Sequence, residues 1–212
     1  METFKKRLLA IAGGLAGFAI AFMLFADTVS MEIYGQGGTL NGTEVIFGYK
    51  ESGYQFFGFS FMNFLTILIG IVGVVFLALA EKKKNKMYKY ISIACFAVSG
   101  IMCFFTADFV TQGKGMEKFY DDMGLSSAQN KMACELMMSL LEPAFGAILG
   151  GIILLLASVA VILDVVYAKK AEANADRLAE VAAPAQENAV AAEEVAVTEE
   201  APVEEETEEK AE

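Results

Sequence analysis

The chain has 212 residues, 56% of them hydrophobic and 20% charged, with a net charge of −11 and a mean hydropathy of +0.48. The two kinds of residue are segregated, which excludes a soluble globular enzyme and a secreted disulfide scaffold. Residues 1–170 hold 14 Lys and Arg against 13 Asp and Glu, whereas residues 171–212 hold 2 against 14. The acidity therefore belongs to a tail, and nucleic-acid binding, which needs a basic footprint, is excluded.

Four apolar blocks, at about residues 8–26, 61–80, 90–107 and 144–163, are each close to the ~20 residues that cross a hydrocarbon core. Without water to satisfy backbone amides, each must be helical. With the N-terminus inside, ten basic residues (Lys5, Lys6, Arg7, Lys82, Lys83, Lys84, Lys86, Lys89, Lys169, Lys170) fall inside. Four (Lys50, Lys114, Lys118, Lys131) then fall outside. This asymmetry places both termini in the cytoplasm. A competing reading makes the first block a cleavable signal peptide ending near Ala19-Ile20-Ala21, but its apolar run continues past that point.

The first outer loop, residues 28–60, is too long for a connector and predicts structure. In residues 43–49, Val45, Phe47 and Tyr49 alternate against Glu44, Ile46 and Gly48. Lys50 to Gly53 reads as a turn, and residues 54–59 are aromatic-rich, which together predict a β-hairpin. Residues 29–34 predict a third strand before the turn-rich residues 35–38. The aromatic crowding reads as an interfacial belt and the packing face of a small sheet. The functional alternative is an interaction surface at Phe47, Tyr49, Tyr54, Phe56 and Phe57.

The second outer segment predicts an amphipathic helix over about residues 127–141. Ser126 or Ser127 caps it, with Gln129 or Asn130 three residues on, and Met132, Ala133, Leu136, Met137, Leu140 and Leu141 form its apolar stripe. Pro143 marks the helix boundary before the fourth block. Met123, Met132, Met137, Met138 and Cys134 read as apolar packing rather than a soft-metal site.

Within the spans, Gly13 and Gly17, and Gly146 and Gly150, have helix-packing spacing. Gly70 and Gly73 share a face with Asn63 and Thr66 on the second block. Cys95, Ser99 and Cys103 share one on the third, so the two faces predict a polar seam. No ionisable residue sits at mid-depth. Asp27, Asp108 and Glu142 lie at the outer ends, and Asp164 lies at the inner end near Lys169, which argues against a proton relay. Cys95 and Cys103, eight residues apart on one helix, cannot bridge each other.

The inner loop, residues 81–89, is a basic membrane-surface patch. Residues 171–182 extend as helix, and residues 183–212, with long Glu runs and no apolar period, predict disorder. The chain has no His, so it offers no Ser-His or Cys-His pair and no His metal ligand. Residues 35–38 lack the Lys-Ser/Thr and helix of a phosphate loop. Asn41, Gly42 and Thr43 match a glycosylation acceptor, relevant only in a eukaryotic secretory pathway.

The order of spans, larger outer loop, short basic inner loop, smaller outer segment and inner tail resembles the claudin-like tetraspan layout in architecture. The claudin Trp and Cys signature is missing from the first outer loop, so no residue role is carried over. The stretches GTEVIFG (residues 42–48) and FSFMN (residues 59–63) resemble those of uncharacterised four-span membrane proteins of low-GC Gram-positive bacteria. That resemblance implies no activity.

The expected fold is an all-α integral membrane protein: a four-helix transmembrane bundle over residues 1–170 with a small extracytoplasmic β-hairpin or sheet. An acidic cytoplasmic tail over residues 171–212 follows. The expected function is non-catalytic, an accessory, interaction or scaffolding role at the plasma membrane, without cofactor or metal. Its partners are the lipid bilayer, another membrane or extracytoplasmic protein, or a second copy. The alternative is a small oligomeric channel or transporter.

Overall fold

A computed structural model describes residues 2–33, 36–51, 54–110, 124 and 126–197. The chain divides into two compact units, Met1–Val165 and Val166–Glu212. Three segments among the described residues, Arg7–Phe25, Phe61–Lys83 and Phe145–Arg177, are long and apolar enough to cross a membrane.

The first unit opens with α1 (Glu2–Phe25). Its inward stripe is Ala12, Ala16, Ala19 and Met23, spaced i, i+4, i+7, i+11. The helix α3 (Phe61–Lys83) is capped by Ser60, whose Oγ accepts from the Asn63 amide and donates to the Phe109 carbonyl. It ends at Lys84, in the left-handed region at φ 51°, and Asn85 caps α4 (Lys86–Cys103). This two-residue link turns the chain back, and α4 packs along α3.

The expected third span over residues 90–107 is divided. Lys86 and Lys89 occupy the first turn of α4, which stops at Cys103. Phe104 and Phe105 make a turn before α5 (Thr106–Val110). The Thr106 hydroxyl donates to the Cys103 carbonyl at 2.6 Å, a local side-chain bond that competes with continuing the helix.

At one end of these helices sits a small cap. Strands β1 (Asp27–Ile33) and β2 (Gln36–Asn41) form an antiparallel hairpin. The expected turn at residues 35–38 is corrected: β2 already begins at Gln36. On the far side of β1 lies β5 (Leu141–Pro143), giving the order β2-β1-β5. The strand expected over residues 43–49 is instead a short helix, α2 (Gly42–Phe47). Asn41 Oδ1 accepts from the Glu44 amide at 3.1 Å, and Glu44 Oε2 accepts from the Asn41 amide at 2.9 Å. This reciprocal capping box decides the local structure over the apolar alternation. Only β3 (Lys50–Glu51) and β4 (Tyr54–Gln55) remain of the expected hairpin.

Helix α6 (Ser127–Ser139) starts where Ser126 and Gln129 cap each other: the Gln129 side chain accepts from the Ser126 amide, and the Ser126 hydroxyl accepts from the Gln129 amide. Met132 and Leu136 of its apolar stripe are exposed, whereas Asn130 is buried. Helix α7 (Phe145–Val197) carries its buried positions Leu154, Ala157, Val161 and Asp164 on one stripe.

The second unit is helical to Val197, a span that includes the first part of residues 183–212, where disorder is expected. Its Ala, Glu and Gln residues are strong helix formers and carry the helix through Pro184. Residues 198–212 lie outside the described residues.

Candidate functional site

The cap is held against the helical body by close backbone approaches. A Cβ on Gly42 would lie 1.9 Å from the Met23 carbonyl oxygen, so only glycine lets α2 rest on the last turn of α1. The Ala144 amide donates to the Thr28 carbonyl, and the Ser60 amide donates to the Ile46 carbonyl. Asn41, the formal glycosylation acceptor, has its side chain committed to capping α2.

Between the sheet and the segment around β3 and β4 lies a cleft of about 240 Å³. One wall follows from strand periodicity. Val29 and Met31 share a face of β1, with Leu40 opposite Val29, and with Gly38 and Leu141 opposite Met31. Tyr49, Phe56 and Phe57 make the other wall. Among the described residues, the polar lining side chains are Ser30, Thr39 and Tyr49, and no charged residue lines it. A dry apolar cavity of about 150 Å³ accepts benzene, so this one has room for a larger apolar group. Sealed and unfilled, that volume would cost on the order of 6 kcal/mol at about 24 cal/mol per Å³.

Three of the five residues of the expected interaction surface meet at this cleft: Tyr49, Phe56 and Phe57. Tyr49 and Phe56 have ring centroids 6.2 Å apart, and Phe57 is buried. Phe47 does not join them. It is exposed and lies 6.4 Å from the Phe59 ring, which in turn is 5.9 Å from Phe64. The side chain of Tyr54 lies outside the described residues. The sequence reading missed Leu40, Gly38 and Leu141. The period-2 pattern of Val29 and Met31 could have suggested the wall, but β5 pairs with β1 across more than a hundred residues and leaves no local signal.

Most side-chain groups of the expected polar seam are hydrogen-bonded within the chain, while Asn63 Oδ1 is buried without a hydrogen-bond partner among the described residues. Ser99 Oγ donates to the Thr66 carbonyl at 2.8 Å, and Asn63 Nδ2 donates to the Thr106 carbonyl at 3.1 Å. Thr66 Oγ1 donates to the Met62 carbonyl, and Cys103 Sγ to the Ser99 carbonyl. Asn63 and Thr66 border a hole of only about 10 Å³, the lower limit for one water. Cys95 is half-buried against Gly73. Cys95 and Cys103 are free, and the Cys134 side chain lies outside the described residues.

The glycines divide into two groups. Gly70 lies against Ser99 and Ile20, and Gly73 against Phe96. Gly146 lies against the Asp27 carbonyl, and Gly150 against Met23. A Cβ on Gly100 would sit 3.0 Å from the Gly151 carbonyl oxygen, and one on Gly151 2.9 Å from that of Gly100, so α4 and α7 touch backbone to backbone. Gly13 meets Leu77 at 3.6 Å, and Gly17 has nothing within 4 Å in this chain. The inward stripe of α1 lies one residue away, at Ala12, Ala16 and Ala19.

Asp164, expected near Lys169, is instead paired with Lys89 Nζ of α4, and its side chain is 2% exposed. Among the described residues, no group of three His, Cys, Asp or Glu is placed to hold a metal ion. Comparison with known proteins finds no matching family model, no matching curated protein and no matching solved structure.

Proposed function

We infer that this chain is a four-span protein of the plasma membrane with both termini in the cytoplasm. Its role is non-catalytic: an accessory protein whose outward cap is a binding module for another membrane or extracytoplasmic component. The observation that carries this reading is the open apolar cleft, walled by aromatic residues on a cap clamped to the helix ends. Such a concave, largely apolar site is a common form of ligand pocket. α4 serves as the fourth span, because it packs between α3 and α7 and turns Val98 and Ile101 outward, as a lipid-facing helix does. The basic residues at the α3–α4 turn then face the cytoplasm.

A second reading, self-association into a small channel or carrier, draws on α1. Gly14 and Gly17, with Ala10 and Ala21, leave an exposed small-residue face. The seam gives that reading less support, since Thr66, Ser99, Cys103 and the Asn63 amide nitrogen are used in packing and only Asn63 Oδ1 is left over.

Native mass spectrometry of the protein, moved from its own membrane into nanodiscs, tests both. The accessory reading predicts a co-purifying component that Gly38→Leu removes by filling the cleft. A homo-oligomer without such a component favours the second reading. A bare monomer whose spectrum Gly38→Leu leaves unchanged contradicts the binding module.

A further inference from the structure

The geometry points to the hydrocarbon chain of an outer-leaflet lipid as the ligand of the cap cleft. This rests on the cap being a binding module and names the chemistry that the module takes. The first argument is chemical. Among the described residues no charged side chain lines the cleft, and its wall is Val29, Met31, Leu40, Phe56, Phe57 and Leu141 apart from three hydroxyls. These residues offer no ionic partner to a headgroup or a charged peptide side chain, whereas an alkyl chain asks for none.

The second argument is position. Val29 follows Phe25 by four residues, Phe57 precedes Phe61 by four, and Leu141 precedes Phe145 by four. Those three phenylalanines stand at the ends of α1, α3 and α7 and are 79%, 62% and 69% exposed. The ends of helices that are apolar over a membrane-spanning length lie at the edge of the hydrocarbon core. Four residues of chain reach at most about 14 Å, so three parts of the wall lie within that distance of the interface. An acyl chain spans one leaflet, about 15 Å of a ~30 Å core, so a chain splayed upward reaches the cleft.

The third argument is the residue that leaves the space. Gly38 faces Met31 across the hairpin and lies two residues from Leu40, so a side chain there points into the cleft. A Cβ at Gly38 meets nothing within 4 Å. Gly37 faces Glu32, on the other face of the sheet, and also has open space around it. One glycine therefore controls the cleft and its neighbour is a matched control.

The chain has no Trp, so Phe56→Trp places a lone indole in the cleft wall, and Tyr49→Trp is a second reporter should the first not fold. The full chain is reconstituted in phosphatidylglycerol vesicles whose acyl chains are brominated either near the carboxyl end or near the methyl end. An inserted chain predicts strong quenching by methyl-end bromine. That quenching is lost on adding Gly38→Leu and retained on adding Gly37→Leu. Absent quenching, or quenching that Gly38→Leu leaves unchanged, overturns the inference. Cross-linking in the native membrane separates this from the binding reading. A protein adduct that Gly38→Leu removes, with no acyl-chain quenching, overturns the lipid and leaves the binding module. Loss of both signals overturns the two together.

Discussion

Removing Lys89 is predicted to destabilise the protein far more than removing a surface lysine. Lys89 and Asp164 join α4 to α7, with side chains 18% and 2% exposed. Asp164 continues the buried stripe of Leu154, Ala157 and Val161, so its carboxylate is desolvated and depends on Lys89 for its partner. Lys89→Met leaves that charge buried and uncompensated, which costs about 3–5 kcal/mol in comparable sites. Replacing both partners, as Lys89→Met with Asp164→Leu, removes the desolvation penalty along with the attraction and is predicted to restore stability to near the parent or above it. For a chain of this size each kcal/mol shifts Tm by about 2–4 °C. The assay is reversible unfolding in mixed micelles, followed by far-ultraviolet circular dichroism, as a double-mutant cycle. A loss below about 1 kcal/mol for Lys89→Met, the range of exposed pairs, would refute the reasoning.

Asn41→Ala removes the cap of α2 and is predicted to cost about 1 kcal/mol, read as faster amide exchange confined to residues 43–47. Gly42→Ala drives a Cβ into the Met23 carbonyl; it is predicted to cost at least the 1–3 kcal/mol typical of overpacking, about 3 kcal/mol or more, measured by the same unfolding assay. Gly151→Ala forces α4 and α7 apart and is predicted to cost about 1–3 kcal/mol. Gly17→Ala, on the open face of α1, is predicted to be neutral or to stabilise the monomer by up to about 1 kcal/mol. If α1 mediates self-association, Gly17→Ala instead weakens the oligomer, which analytical ultracentrifugation reads directly.

What the sequence made legible follows from the range of each interaction. Apolar runs near twenty residues are a local signal, and α1, α3 and the start of α7 lie where those runs predict. The break at Phe104 and Phe105 is less visible, because it depends on a hydroxyl, Thr106, choosing the Cys103 carbonyl. At α2 two local signals compete. The alternation of Val45, Phe47 and Tyr49 suggests a strand, while Asn41 and Glu44 three residues apart form a capping box, and the capping box prevails. Reading Asn41 only as a glycosylation acceptor hid that signal. The pairing of Asp164 with Lys89 was readable from helical phase, since residues 154, 157, 161 and 164 share a stripe that Lys169 does not extend. The cleft was half legible: Tyr49, Phe56 and Phe57 stood out as aromatics, but the opposite wall needs β5, whose pairing with β1 is non-local.

The central claim, a membrane-embedded chain that presents its cap outside and its basic turn inside, is tested most directly by cysteine accessibility in intact cells. In a cysteine-free background, Phe47→Cys in the cap and Lys84→Cys at the α3–α4 turn are challenged with a membrane-impermeant maleimide. The account predicts labelling of Phe47→Cys in intact cells and of Lys84→Cys only after permeabilisation. Labelling of Lys84→Cys from outside, or of both positions without permeabilisation, would contradict it.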